Sequence, residues 1–214
     1  ALVPKDFARI SGNLSRYQGT LLTTTAQSSI GFVHMDNAWI LSTPSDRRDQ
    51  RKEKISRYSV ISILEQSTHG GKAYVQIGEN AWMARTDVRI PSIATPPPGV
   101  TENEKWIDVD TTEQIITAYE GKTRIRTSLV STGRAGESRT PKGIYRIWVK
   151  VAAIAMDNTD ESLENATDNA SETTPAKETK LYSLRDVPWV QFFFDNYGLH
   201  GVYWHDRFGN RRSH

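Results

Sequence analysis

The sequence predicts a mainly β protein, with a small N-terminal β-barrel over residues 1–98 and a second β-rich domain over residues 99–214. Three observations carry this. Several stretches alternate apolar and polar residues, the period of a strand with one buried face. Pairs of turn-forming residues separate them at short intervals. Between the two sets, Thr95-Pro96-Pro97-Pro98-Gly99 removes three backbone donors in a row and fixes φ, so it reads as a stiff spacer at a domain boundary.

In the first domain, residues 29–41 read as two short strands around the turn pair Asp36-Asn37. Residues 58–64 are β-branched and partly alternating. Thr68-His69-Gly70-Gly71 is a turn cluster, and residues 72–78 alternate strictly. Glu79-Asn80 turns the chain into residues 81–84, and residues 87–90 close the set. Strands joined by short turns favour a small barrel over an open sheet. In the second domain, residues 106–110 and 114–119 alternate, with Thr111-Thr112-Glu113 between them and Glu120-Gly121 as the next turn. Residues 122–131 continue a β-meander. Ser131-Thr132-Gly133-Arg134-Ala135-Gly136 and Thr140-Pro141-Lys142-Gly143 are turns leading to a strand over 144–151.

Composition excludes several classes. The 214 residues contain no Cys, which removes disulfides, thiolate metal sites and a cysteine nucleophile from these residues. A net charge of +2 gives no electrostatic footprint for nucleic acid. No apolar run approaches the ~20 residues of a membrane span. The chain opens on Ala1 without an initiator Met or signal pattern, and so reads as processed, trimmed or recombinant. Basic charge gathers in Arg47, Arg48, Arg51, Lys52, Lys54 and Arg57, interleaved with Asp46, Asp49 and Glu53. This reads as a solvated loop, with weak contact to an anionic cell-wall polymer as the sharper alternative. Residues 156–180 hold seven acidic groups, two lysines and no aromatic residue, too little apolar surface to offset ordering. They read as a mobile acidic insertion.

Two resemblances follow. The run Val75-Gln76-Ile77-Gly78-Glu79-Asn80-Ala81-Trp82-Met83, then Asp87-Val88, resembles the end of a bacterial Src-homology-type barrel, with a glycine-led hairpin before a buried Trp. That implies a targeting or spacing module over residues 29–91. The second resemblance is more specific. Ile107-Asp108-Val109-Asp110 with Gln114, Val130-Ser131-Thr132-Gly133, Thr140-Pro141-Lys142-Gly143, Asp186-Val187-Pro188-Trp189-Val190 and Leu199-His200-Gly201-Val202-Tyr203-Trp204-His205, then Ser213-His214, resemble the L,D-transpeptidase catalytic domain of bacterial cell walls. There a His is followed, a dozen or more residues later, by Ser/Thr-His-Gly-Cys. This chain stops at His214, before the Gly and the nucleophilic Cys, and is read as a fragment whose domain lacks its C-terminal segment.

The resemblance implies a peptidoglycan L,D-transpeptidase, acting on stem peptides outside the cytoplasm through a cysteine thioester and without a cofactor or metal. The alternative is a non-catalytic cell-wall-binding protein that keeps a degenerate transpeptidase fold. By resemblance His200 is the base, while Ser213 and His214 shape the turn that presents the nucleophile. Gly201, Tyr203, Trp204 and Arg212 are the expected substrate-binding residues, with Arg211 beside Arg212 as a further cation for a stem-peptide carboxylate. His205 reads as a structural histidine of the pocket wall. His34 and His69 read as ordinary surface or core residues. His200, His205, His214 and Asp206 could be drawn as a metal set, but the spacing lacks a helical i, i+4 pair.

Overall fold

The computed structural model describes residues 17, 19–21, 29–134, 136, 138–157 and 183–212. Of these, the residues within Arg16–Lys142 and Arg207–His214 form one compact unit, and those within Gly143–Asp206 form another. Both are built from antiparallel strands, as the alternation predicts. Among the described residues no helix is long and apolar enough to cross a membrane.

The larger unit begins with β1 (Thr20–Leu21), β2 (Ile30–Val33), β3 (Ala38–Leu41), β4 (Arg51–Ile55) and β5 (Val60–Ser62). It continues with β6 (Glu65–His69), β7 (Lys72–Gly78), β8 (Ala81–Ala84) and β9 (Val88–Arg89). The meander β10 (Lys105–Asp110), β11 (Ile115–Glu120) and β12 (Thr123–Leu129) follows. The expected barrel is not closed. Strands β4-β3-β8-β7-β6 make one sheet and β5-β2-β9 another. The reason lies at the Asp36-Asn37 turn. Its flanking strands β2 and β3 do not pair with each other, because the groups of β2 are taken elsewhere. Val33 N–H donates to Ser59 O, Tyr58 N–H to Val33 O, and His34 N–H to Asp87 O.

Two further expectations change. The basic run is not a solvated loop throughout, since residues 51–55 form the edge strand β4. Four of its five side chains are exposed, and charge on an exposed edge discourages pairing with other chains. Trp82 is half-buried rather than a core residue, and its neighbour Met83 is fully buried instead. Successive strand residues face opposite sides, so only one of the two can enter the core.

Strand β2 organises the unit by the same rule. Val33 enters a core with Ala38, Ile61, Val75, Met83 and Val88. Phe32, on the opposite face, packs with Ile115 and Leu129 of the meander and with Tyr17, Tyr58 and Phe208. Polar contacts cross the Pro-rich segment as well. Glu113 accepts from Arg85 at 2.7 Å and from Ile90 N–H at 3.1 Å, and Ala94 N–H donates to the Tyr119 hydroxyl. Within the meander, Ile115, Thr117 and Tyr119 are buried in alternation, and Trp106 stacks on Tyr119 at 4.1 Å.

The smaller unit is the sheet β13 (Val149–Asp157), β14 (Ser183–Phe194) and β15 (Tyr197–Leu199). Strand β13 starts five residues later than predicted, because its ladder begins where Val149 pairs with Phe192, near the end of β14. Met156 and Asp157, assigned by composition to the acidic insertion, pair with Leu184 and Ser183. The rest of that stretch, residues 158–180, lies outside the described residues. Val187 and Val190 are fully buried, and Tyr145, Phe193 and Phe194 cluster with ring centroids 5.2–5.5 Å apart.

Candidate active site

In the smaller unit, the residues after β15 carry His200. Gly201 N–H donates to Pro188 O of β14 at 2.8 Å, which ties this segment to the sheet. A Cβ at Gly201 would meet Pro188 Cγ at 2.8 Å, so the approach suits glycine. His200 Nδ1 lies 2.9 Å from Gly201 O. A carbonyl oxygen only accepts, so Nδ1 carries the proton and Nε2 presents a lone pair. Burial pushes the imidazole below its ordinary value, while the Gly201 bond opposes this more weakly. A neutral ring with a fixed tautomer, whose Nε2 has no hydrogen bond among the described residues, is the form a general base needs. The ring stacks on Trp204 at 5.7 Å, and Trp204 meets Tyr203 edge-on at 5.0 Å. The Tyr203 hydroxyl donates to Arg185 O, so it anchors this segment to β14. Thus His200, Gly201, Tyr203 and Trp204 are brought together as one cluster.

In the larger unit, two motifs far apart in sequence are locked by one side chain. Gln114 is 2 % exposed and sits in the left-handed region with φ 56. Its Oε1 accepts from Thr132 N–H at 2.9 Å. Its Nε2 donates to Thr132 Oγ1 and to Thr111 O, each at 2.7 Å. Asp110 Oδ1 accepts from Thr112 and Glu113 N–H and closes the intervening turn. The C-terminal residues then run along the extension of β12. Gly209 N–H donates to Val130 O, and Arg212 N–H to Thr132 O. Gly209 has φ +87, and a Cβ there would meet His34 Cβ at 2.7 Å. Its carbonyl accepts from Arg89, and that of Phe208 from Arg57.

This tail forms one wall of a cleft of about 560 Å³ with Arg207, Asn210, Arg211 and Arg212. The β2–β3 turn supplies His34, Met35, Asp36 and Asn37; Arg57, Asp87 and Arg134 complete the lining. Five guanidinium groups therefore face two carboxylates. Asp36 pairs with Arg57 at 3.2 Å, and burial raises the pKa of Asp87. The Arg211 guanidinium donates twice to Thr111 O. His34 is 3 % exposed and donates from Nε2 to Thr86 O at 2.8 Å. Its Nδ1 has no hydrogen bond of good geometry, although Asn210 lies near enough to influence the ring. Burial holds this imidazole below its ordinary value.

Of the residues predicted for the site, Arg212 lies in this cleft, in the larger unit. Ser213 and His214 lie outside the described residues. Among the described residues no three His, Asp or Glu side chains are arranged to hold a metal ion. Sequence reasoning missed His34, Asp36, Arg57 and Arg134 as cleft residues. The basic run ending at Arg57 was the available signal, but nothing local joins it to Arg212. Comparison with known proteins assigns residues 104–214 to the YkuD family model, described as the L,D-transpeptidase catalytic domain. No curated protein and no solved structure matches the chain.

Proposed function

Since the chain belongs to the YkuD family of L,D-transpeptidase catalytic domains, we propose that it acts as a peptidoglycan L,D-transpeptidase whose cysteine nucleophile is not among these 214 residues, with residues 1–98 as an accessory module and 99–214 as the catalytic domain. Its substrates are stem peptides, its place of action is outside the cytoplasm, and it needs no cofactor. The observation that carries this reading is the His200 tautomer. Nδ1–H is held by the Gly201 carbonyl and the ring is kept neutral, so Nε2 is set to take a proton.

On this reading the nucleophile is a cysteine two residues past His214, where the family pattern has it. His200 Nε2 takes the thiol proton, and the thiolate attacks the amide carbonyl that links the diamino acid to the terminal D-residue. Backbone N–H groups around the cysteine hold the oxyanion. The imidazolium returns its proton to the leaving amine as the C–N bond breaks, leaving a thioester. An amine of a second stem peptide then displaces the thiolate, and water in its place gives a carboxypeptidase. Ser213 and His214 are the residues proposed to present the cysteine, and Gly201, Tyr203, Trp204 and Arg212 those proposed to bind the donor.

The test uses a version carrying Gly-Cys after His214, incubated with a stem tetrapeptide and read by intact mass. The expected result is a mass gain equal to the acyl fragment, lost in His200→Ala with the circular dichroism unchanged. The 214-residue chain has no thiol and should gain nothing. An adduct that survives His200→Ala moves the base elsewhere. A natural reading frame with no cysteine after His214 favours the wall-binding alternative.

A further inference from the structure

Residues 207–212 form neither strand nor helix, so their backbone groups have no ladder of their own. Some partners come from residues 130–132. Arg207 O accepts from the Ser131 hydroxyl, Gly209 N–H donates to Val130 O and Arg212 N–H to Thr132 O. The others come from the N-terminal side of the Pro-rich segment. Phe208 N–H donates to the Tyr58 hydroxyl at 3.3 Å, Phe208 O accepts from Arg57 at 3.3 Å, and Gly209 O accepts from Arg89 at 3.0 Å. These three groups lie on consecutive peptide planes, 207–208, 208–209 and 209–210. Each plane is rigid, so holding all of them fixes the dihedrals of Phe208 and Gly209. That matters most at Gly209, the residue with the widest conformational freedom, which sits at φ +87 against His34. Burial disfavours both cations. The Arg57 side chain is 13 % exposed with its Nε unbonded, and Arg89 is half-buried, which holds its pKa below the ordinary value. Their bonds to main-chain carbonyls offset part of that cost.

We propose that Arg57, Tyr58 and Arg89 are positioning residues for acyl transfer: they lock residues 208 and 209 and so set the path of the chain toward the nucleophile. The N-terminal part of the chain is then a working part of the site rather than a spacer. None of the three touches the reacting atoms on this reading; each acts through the backbone of the segment. Aromatic packing supports the same lock. The Phe208 ring lies 6.0 Å from Tyr17 and 6.5 Å from Tyr58, and Arg57 sits 4.9 Å over the Tyr58 ring. A nucleophile displaced by about 1 Å loses rate by about a hundredfold, so small freedom at Gly209 has a large kinetic effect. The place of the cysteine rests on the proposed function; the lock on Gly209 does not.

The experiment has two arms. In the 214-residue chain, amide hydrogen exchange is followed by NMR for Phe208, Gly209 and Arg212. Arg89→Met should speed the Gly209 and Arg212 amides by about tenfold, and Tyr58→Phe, which keeps the ring, should do the same for Phe208. Amides of β7 and β8 should not change. In the version carrying Gly-Cys after His214, both variants should lower kcat for a stem tetrapeptide at least about tenfold, with KM within about twofold. Arg89→Lys, which keeps a charged donor, should restore most of the rate. Val75→Ala, in the core of β7, should lower the melting temperature without lowering kcat. Exchange at 208–212 indifferent to both variants would overturn the proposal. So would an unchanged kcat, a rise in KM alone, or an equal loss of kcat in Val75→Ala. If the cysteine-bearing parent forms no thioester, the proposed function falls and the catalytic role with it, while the exchange arm still decides the lock.

Discussion

Replacing Gln114 by Leu tests how the two motif segments are joined. The substitution nearly conserves volume, and both residues bear the same backbone cost at φ 56, so the change in stability reports the carboxamide. The amide makes three hydrogen bonds, two to Thr132 and one to Thr111 O. Thr111 O keeps the Arg211 guanidinium as a donor, so it is not orphaned. Thr132 N–H and Thr132 Oγ1 are left without this partner in a residue only 5 % exposed. An unmet buried donor costs about 1–3 kcal/mol, and loss of the hydroxyl contact adds about 1 kcal/mol, for a total of about 2–4 kcal/mol. In urea unfolding followed by tryptophan fluorescence, with m of about 1–3 kcal/mol per molar, the midpoint should fall by about 1–2 M. A cycle with Thr132→Val should show coupling of about 1 kcal/mol or more. A loss below about 1 kcal/mol, or additivity within about 0.5 kcal/mol, would refute the interlock.

Phe32→Ala removes a fully buried ring from the core shared with Ile115 and Leu129 and should cost about 3–5 kcal/mol. Hydrogen exchange should speed more in β11 and β12 than in β7 and β8, and uniform acceleration would contradict the two-faced role of β2. Gly209→Ala should cost about 1–3 kcal/mol in thermal melts, because φ is +87 and the new Cβ meets the inflexible His34 Cβ at 2.7 Å. An unchanged melt would show that the tail yields freely. For pH, His34 and His200 are both held below the ordinary value of 6.5 when folded. Acidification below 6.5 therefore protonates the unfolded chain first. Their stabilising effect is full above 6.5 and is lost as pH falls through the lowered folded values. His34→Gln, which keeps a donor for Thr86 O, should flatten the acid limb of a stability–pH curve, and an equally steep limb would exclude His34 as a source.

The meander was legible because its faces differ. Alternation over residues 106–119 and the Glu120-Gly121 turn match β10, β11 and the turn into β12. The residues around His200 were named by family resemblance, and their adjacency in sequence is what makes the ring contact of His200 with Trp204 a local one. Strand β4 was missed, because a charged edge strand and a solvated loop share a composition, and only the β3 partner distinguishes them. The bonding of Gln114 to Thr132 was invisible for a similar reason. Each residue has several possible partners, and folding selects one.

The chain alone therefore determined the β class, the meander and the family, all of which depend on local periodicity and ordered short motifs. The tertiary structure decided how β2 divides its two faces between cores. It also decided that His34, Arg57 and Arg212 line one cleft, although Arg212 is more than 150 residues from the other two. Periodicity specifies which face of an element is apolar, but not which distant element covers that face. Charges carry still less local information, because their placement follows from packing of the apolar surfaces around them.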